Sequence, residues 1–439
     1  MNKKIIKTAS VIAVGAGAAA LYKAKFAKDN DSDSGSCGCK NSNGKDDDKK
    51  SMSDRVIEKW CQYVDDSDGK IKSKNRGNAK DNYEKSDYQN TERGKYDKNS
   101  KGIYYASGNY EAFARPKKPV GIEEKSAYIV GSGLGALAAA CFLVRDAKMP
   151  GENIHILEAL DIAGGACDGI NDASRGYIMR GGREMDNHFE VMWDTFRSIP
   201  SLENKDESVL DEFYYLNKED PNYSLCRVTT DRGKDAELGG KFGLSRKGCM
   251  EIMRLFFTSD EQLYDKKIED FFDDEVFDSN FWLYWRTMFA FQNWHSALEM
   301  KLYFKRFIHH IAGLPDFSAL KFTRYNQYES LIMPMLKYLE NAGVSFKFNT
   351  EVTNVIFDID GKKKTAKTIE CVVAGKNEEI KLTDNDLVFI TNGSCTESTI
   401  YGDHEHAPTG SAKIRKSGCW SLWKNIARQD MAFGNPEKF

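Results

Sequence analysis

The feature that most constrains the fold is a short apolar run followed at once by closely spaced glycines, AYIVGSGLGALAAACFLV at residues 127–144. The run predicts a buried strand, and the residues after the glycines predict a helix. Gly131, Gly133 and Ala136 stand between them and match the G-x-G-x-x-G/A pattern of dinucleotide-binding folds in its required context. Two glycines allow a tight turn and a close approach of the backbone to a pyrophosphate, which the helix amino terminus then faces. The pattern therefore predicts a Rossmann-like α/β domain.

An acid and a second glycine pair extend this pattern. Glu158 ends the next predicted strand, NIHILEAL, 22 residues after Ala136, where an acid is expected to accept hydrogen bonds from a ribose. Gly164 and Gly165 follow, as is typical of FAD proteins of the glutathione-reductase type. Far downstream, NDLVFITNGS with Gly393 resembles the late strand that returns to their flavin domain. We therefore predict FAD as cofactor; the alternative is a plain Rossmann domain that binds a nicotinamide or nothing.

The first hundred residues have a composition unlike the rest. Residues 1–28 combine a basic start, an apolar run from Thr8 to Tyr22 and further lysines, and predict a short anchor or membrane-surface helix, with a cleaved signal-like segment as the alternative. Residues 29–101 are rich in Asp, Lys, Ser, Asn and Gly and predict a disordered polar tether, because they cannot bury enough apolar surface. We expect a cytoplasmic protein that contacts a membrane surface through residues 1–28.

Charge and cysteine usage exclude several classes of function. The net charge of -3 provides no broad basic field, so we expect no nucleic-acid partner. The ten cysteines lack regular spacing, which favours reduced thiols over a disulfide scaffold. Cys37 and Cys39 are closer than the usual zinc pair and are interpreted as linker thiols, with metal binding as the alternative. We expect no metal site.

The remaining chain predicts further domains. We expect the first part of the FAD domain at residues 102–205, a helical substrate domain at 206–330, a helix and inserted β-sheet at 331–384, and the return strand with a carboxyl-terminal part at 385–439. The aromatic-rich stretch from Phe281 to Phe317 reads as helical until Gly313, and its helices are expected to be buried or to line an apolar cavity. Its polar candidates are Arg286, His295, Tyr303, His309 and His310.

Shorter sequence patterns predict a helix and several strands after the aromatic-rich stretch. A helix is predicted from Tyr328 to Asn341, kinked at Pro334 and ended by Gly343. Alternating strands with a turn at DIDGKKK are predicted from residue 344 to about residue 373. They form the small sheet inserted before the return strand.

The stretch RGGREMDNHFEVMWD, residues 180–194, places two glycines and a glutamate before an apolar helix. Gly181 and Gly182 would let the backbone approach something flat. Glu184 is a carboxylate near a dry surface, where its protonation can be tuned. The alternative is a turn followed by an ordinary amphipathic helix.

Several long blocks together resemble the oleate hydratase family, also called myosin-cross-reactive antigen. They are NYEAFARPKKP, AYIVGSGLGALAAA, RGGREMDNHFEVMWD, SNFWLYWRTMFAFQNWHSALEMKLYFKRFIHHIAGLPDF, YNQYESLI and LVFITNGSCTEST, and the resemblance runs from about Gly102 to the end. It implies a homodimeric FAD protein that adds water to the cis-9 double bond of oleate and related unsaturated fatty acids. The products would be 10-hydroxy acids, formed without net oxidation.

The resemblance also implies site residues. Glu184 would lie by the flavin and the double bond, and Tyr303 would be the second catalytic group. Our hypothesis is that Tyr303 donates a proton while Glu184 orients and deprotonates water. Gly181, Gly182 and Arg183 would carry the loop past the isoalloxazine.

Family members continue well past FGNPEKF, so the resemblance implies a carboxyl-terminally truncated member. Two alternatives remain open. One is an FAD oxidoreductase or double-bond isomerase acting on an apolar substrate. The other is a truncated, inactive lipid-binding relative.

Overall fold

The computed structural model describes residues 116–436 except 175, 181, 183, 187–188, 223–228, 231, 236–241, 316–317, 319, 394–396, 398 and 411–418. The segments predicted at residues 1–28 and 29–101 lie outside the described residues. The chain divides into two compact units. Among the described residues, we call 223–319 the helical unit and 116–222 together with 320–436 the sheet unit.

The regular elements are named in chain order. The strands are β1 (Ser126–Val130), β2 (Ile154–Leu157), β3 (Gly169–Asp172), β4 (Gly176–Met179), β5 (Thr229–Thr230), β6 (Lys234–Asp235), β7 (Ser345–Lys347), β8 (Thr350–Asp360), β9 (Lys363–Val373), β10 (Lys376–Lys381) and β11 (Asp386–Ile390). The α-helices are α1 (Leu134–Arg145), α2 (Glu190–Phe196), α3 (Val209–Glu219), α4 (Arg246–Phe257), α5 (Asp274–Phe277), α6 (Asn280–Phe289), α7 (Ala297–Phe307), α8 (Met333–Asn341) and α9 (Cys419–Ala427).

The sheet unit is built on a parallel sheet of strand order β11-β1-β2-β7. β11 pairs with β1 from Ser126–Asp386 to Val130–Ile390, so the predicted return strand joins the first strand. The inner strands are mostly apolar, as is usual for parallel sheets whose two faces are both covered. The predicted α/β class with a central sheet is therefore confirmed.

Two layers cover this sheet. On one face, α1 buries Leu137 and Ala140 in a cluster with Ile156 of β2 and with residues of α8. On the other face, Val130 and Leu157 lie in a cluster with residues of β8, β9 and α9. A second, antiparallel sheet has the order β10-β9-β8, and β10 lies beyond the stretch for which strands were predicted. These layers leave the carboxyl ends of β1, β2 and β11 to the loops described below.

The helical unit has a separate core of aromatic side chains. Phe281, Trp282, Trp285 and Phe304 are almost completely buried in it. The structure breaks the predicted continuous helical stretch at Ala290, whose φ of 55° is left-handed. After α7 the chain continues as 3-10 turns over Ile308–Gly313.

The helix predicted from Tyr328 to Asn341 is two segments. A π-helical turn covers Tyr328–Ile332 and α8 follows it. Pro334 lies in the first turn of α8, where an N–H has no intrahelical partner and proline is tolerated. Gly343, at φ 86°, follows the helix as predicted.

The predicted localisation, cytoplasmic with membrane contact through residues 1–28, is corrected. Across the part of the chain that the structure describes, no helix combines the length and apolar character needed to cross a membrane. Residues 1–28 lie outside that part.

Candidate functional site

The first glycine turn lies at the carboxyl end of β1. Gly131 has a φ of 92°, a conformation that residues with a Cβ atom rarely adopt, and its N–H donates to the Leu157 carbonyl at 2.8 Å. Gly133 precedes the first residue of α1 and accepts a hydrogen bond from Leu137 N. Ala136 is fully buried, which suits the small third position of the motif.

The second glycine pair packs directly on this turn. Gly164 N donates to Ser132 O at 2.9 Å, and Gly133 and Gly164 form a parallel bridge. A Cβ atom added to Gly165 would lie 2.9 Å from the Gly133 Cα, closer than real Cβ contacts. Four predicted glycines are therefore brought together, and we call Gly131, Gly133, Gly164 and Gly165 the glycine cradle. Bare backbone beside a helix amino terminus is how such folds bind a pyrophosphate.

Glu158 is tied to the glycine cradle and is only 8% exposed. Its Oε2 accepts hydrogen bonds from Ser132 N at 3.0 Å and Ser132 Oγ at 2.5 Å, and its Oε1 accepts one from Leu160 N at 2.9 Å. A carboxylate accepts about four hydrogen bonds, so some capacity is left for a ribose hydroxyl. The sequence prediction missed Ser132, because the motif places no demand on that position.

The residues after β11 complete this edge of the sheet. Thr391 donates to Val130 O from both its N (3.1 Å) and its Oγ1 (2.9 Å), and Gly393 has a φ of 133°. Trp423 Nε1 donates to Asn392 O at 3.1 Å. Asn392 Oδ1 is buried and has no hydrogen-bond partner among the described residues. An unpaired buried acceptor is costly unless a ligand supplies a donor.

These residues fit a dinucleotide such as FAD on three observations. The glycine cradle has no space for a side chain at Gly165. Glu158 keeps acceptor capacity beside it, and Asn392 presents a buried acceptor for which the described residues provide no donor.

A partly buried ion pair connects the glycine cradle to the RGGRE loop. The sequence prediction missed this pair. Arg180 Nε donates to Asp168 Oδ1 at 2.9 Å, its Nη2 contacts Asp168 Oδ2, and the same nitrogen donates to Gly165 O at 3.0 Å. The hydrogen bonds that Arg180 donates to the Asp168 carboxylate raise the pKa of the Arg180 guanidinium above its ordinary value. Arg180 therefore fixes the start of the loop against the second glycine turn. The only sequence signal for it was the first arginine of RGGRE.

Glu184 lies in this loop and is exposed. The next residue, Met185, exchanges two backbone hydrogen bonds with Lys321, at 2.8 and 3.0 Å, which anchors the loop. Burial lowers the pKa of the Lys321 ammonium. The Glu184 carboxylate makes no hydrogen bond or ion pair within the described part of the chain, and Gly182 lies beside it. Gly181 and Arg183 lie outside the described residues.

Tyr303 belongs to the helical unit, on α7, and is 37% exposed. Its ring contacts the rings of Phe289, Phe291 and Phe307 at centroid distances of 5.6, 5.1 and 5.9 Å. No described residue hydrogen-bonds its hydroxyl. His295, another polar candidate, accepts a hydrogen bond from Gln292 N at 3.2 Å and so has a local structural role.

Comparisons with known proteins point in one direction. A model described as the MCRA family matches residues 124–439. An oleate hydratase of Streptococcus pyogenes serotype M49 (strain NZ131) is 52% identical over 337 residues, 77% of this chain and 57% of that protein. A linoleate hydratase of Lactiplantibacillus plantarum is 28% identical over 339 residues, 72% of this chain and 59% of that protein. The chain thus spans less than two thirds of the length of these curated relatives.

Solved structures match more weakly. An oxidoreductase from Methanosarcina mazei covers 60% of this chain and 58% of its own, with a TM-score of 0.35 and 16% identity. A CLA-producing fatty acid isomerase from P. acnes covers 58% of this chain and 57% of its own, with a TM-score of 0.34 and 15% identity. Scores this low support no conclusion about this chain.

Proposed function

This chain belongs to the MCRA family, and on that premise we propose that it binds FAD and hydrates unsaturated fatty acids. Water would add to the cis-9 double bond of substrates such as oleate, giving 10-hydroxy acids without net oxidation. The observation that carries the proposal is the 52% identity to an oleate hydratase over 77% of the chain. Because the chain spans 57% of that protein, activity of this chain is itself part of the proposal.

The cofactor proposal is supported by the glycine cradle and by Glu158. The glycine cradle would bind the pyrophosphate, and Glu158 would bind the ribose. The small side chain of Ala136 would allow the close packing of α1 that the turn requires. Gly181, Gly182, Arg183 and Gly393 are proposed to contact the flavin. When bound, FAD would supply a flat ring system that shapes the site and stabilises charge.

The catalytic roles are proposed for Tyr303 and Glu184, whose side chains have no hydrogen-bond partner among the described residues. Tyr303 would give its phenolic proton to one alkene carbon, and water would bond to the other carbon. Glu184 would hold that water and take its proton, which then returns to the tyrosinate. The sum is one water added, with no electron transferred. Exclusion of bulk water would strengthen the electrostatic stabilisation of the cation-like centre.

Incubation of the full chain with FAD and oleate tests the proposal. Mass spectrometry should show a product heavier by one water and hydroxylated at carbon 10, with the oxygen taken from labelled water. Recovery of oleate alone would overturn activity of this chain. Reduced flavin or a shifted double bond would instead support the oxidoreductase or isomerase alternative.

Two further predictions stay proposals. One is the division into an FAD domain, a substrate domain at residues 206–330 and an inserted sheet. The other is the homodimer, which sedimentation would detect as a particle of twice the 49.7 kDa chain mass.

A further inference from the structure

The segment that joins α6 to the following turn is strained. α6 ends at Phe289, and Ala290 adopts left-handed backbone with φ 55° and ψ 33°. This conformation is unfavourable for a residue with a Cβ atom, and alanine has no polar side chain that could compensate. Such strain persists only where the surrounding structure fixes it, and it is common at functional sites.

The left-handed residue directs two rings to one tyrosine. Phe289 and Phe291 meet the Tyr303 ring at 5.6 and 5.1 Å, with interplanar angles of 79° and 84°. Both contacts are edge-to-face, a preferred arrangement for aromatic pairs. Residues two positions apart in a continuous helix do not face the same side. The break at Ala290 is therefore what allows both rings to reach Tyr303.

The two phenylalanines are themselves fixed from the core. Trp285 is fully buried and contacts Phe289 at 4.5 Å and Phe291 at 6.3 Å. Phe289 also stacks on Phe307, at 5.0 Å and 26°. Tyr303 is thus a partly exposed ring that contacts Phe307 and, edge to face, two side chains packed on a buried indole.

We propose that Phe289, Ala290 and Phe291 are positioning residues that hold Tyr303 for proton donation. We call Phe289 and Phe291 the aromatic clamp. This inference rests on the proposed function, in which Tyr303 gives its proton to the alkene. A proton donor must lie within hydrogen-bond reach of its acceptor. A loosened ring therefore lowers kcat more than it changes KM.

The test uses the FAD-loaded full chain and the variants Phe289→Leu and Phe291→Leu. We expect kcat for oleate hydration to fall about tenfold in each, since small misplacements of catalytic groups are costly, while KM stays within about twofold. A 3-fluorotyrosine at position 303 provides a second readout. Its fluorine resonance should move toward that of the free amino acid as the ring contacts are lost.

Phe277→Leu is the matched control. Phe277 is a partly buried phenylalanine of the same core. Its ring contacts the rings of Phe272 and Trp282 and not that of Tyr303. This variant should leave kcat and the fluorine resonance unchanged. An equal effect in the control, or no effect on kcat and resonance in the clamp variants, would overturn the inference.

The test still decides if one variant does not fold or if the unmodified chain is inactive. If Phe291→Leu does not fold, Phe289→Leu decides, because Phe289 is only partly buried and its loss is milder. If the unmodified chain makes no hydroxy acid, the proposed function fails, and the fluorine resonance alone decides whether the aromatic clamp orients Tyr303.

Discussion

At the scale of single residues, Glu184 offers the sharpest test of the chemistry. Its carboxylate is exposed and forms no described hydrogen bond, so Glu184→Gln removes a base without breaking a contact that the structure describes. We expect hydration to fall by about a hundredfold or more, the usual value of a positioned base, with FAD content unchanged. Product yield by mass spectrometry and flavin absorbance measure the two quantities. Glu219→Gln, at the exposed end of α3, is the matched control, and full activity of Glu184→Gln would contradict the role.

Alanine substitutions at Gly165 and Gly135 test whether FAD binding requires close backbone packing at the glycine cradle. Both variants add one methyl group, but only Gly165→Ala brings it into contact with other backbone atoms. Gly165→Ala places a Cβ atom 2.9 Å from Gly133 Cα, at a φ of 56°, and should abolish FAD retention because backbone would have to shift. Gly135→Ala meets no atom within 4 Å and lies inside α1, so it should retain FAD and be slightly more stable. Fluorescence titration with FAD compares them. Equal affinities would refute the cradle as the binding element.

At the scale of elements, the Arg180–Asp168 pair joins the second glycine turn to the RGGRE loop. Asp168→Asn leaves a partly buried guanidinium with a weaker partner, and we expect the free energy of unfolding to fall by about 2 kcal/mol. The loss is below that of a fully buried pair because Arg180 keeps its bond to Gly165 O. Urea unfolding measures it. Asp384→Asn breaks the exposed pair with Lys367 and should change the free energy of unfolding far less, because solvent screens this pair; a similar loss in both variants would argue against the assignment.

Some elements of the fold and of the site could be predicted from the sequence, and others could not. The first glycine turn, the strand before Glu158 and the return strand were predictable because each combines a local apolar run with a motif at a fixed position. The break at Ala290 was not, because alanine is the strongest helix former and only distant ring packing overrides its preference. The bonds from Ser132 to Glu158, 26 positions apart, and from Arg180 to Asp168 depend on folded geometry and leave no periodic signal. The sequence therefore predicted the glycines and the acid of the site, but not the groups that position them.

At the scale of the whole molecule, a buried thiol reports on opening of the core. Cys141 is a buried residue of α1, and this burial raises the pKa of its thiol to about 12. Only the thiolate reacts with alkylating reagents, so at pH 8 the folded chain should react at Cys141 only as fast as it unfolds. Mass spectrometry after timed alkylation measures the rate at each cysteine, with the partly exposed Cys167 as the internal comparison. Labelling of Cys141 as fast as that of free cysteine would contradict the packing of α1.

The pairing of β1 with β11 has a consequence for synthesis on the ribosome. The bond from Thr391 to Val130 spans 261 positions, and β11 is the neighbour that covers one edge of β1. At roughly 5–20 residues per second, β1 leaves the ribosome on the order of 10–50 s before its partner. During that interval an apolar strand edge is open to pairing with other nascent chains. Chaperones that shield this edge, or conditions that disfavour intermolecular strand pairing, should therefore determine how much of the chain reaches its folded state in a cell.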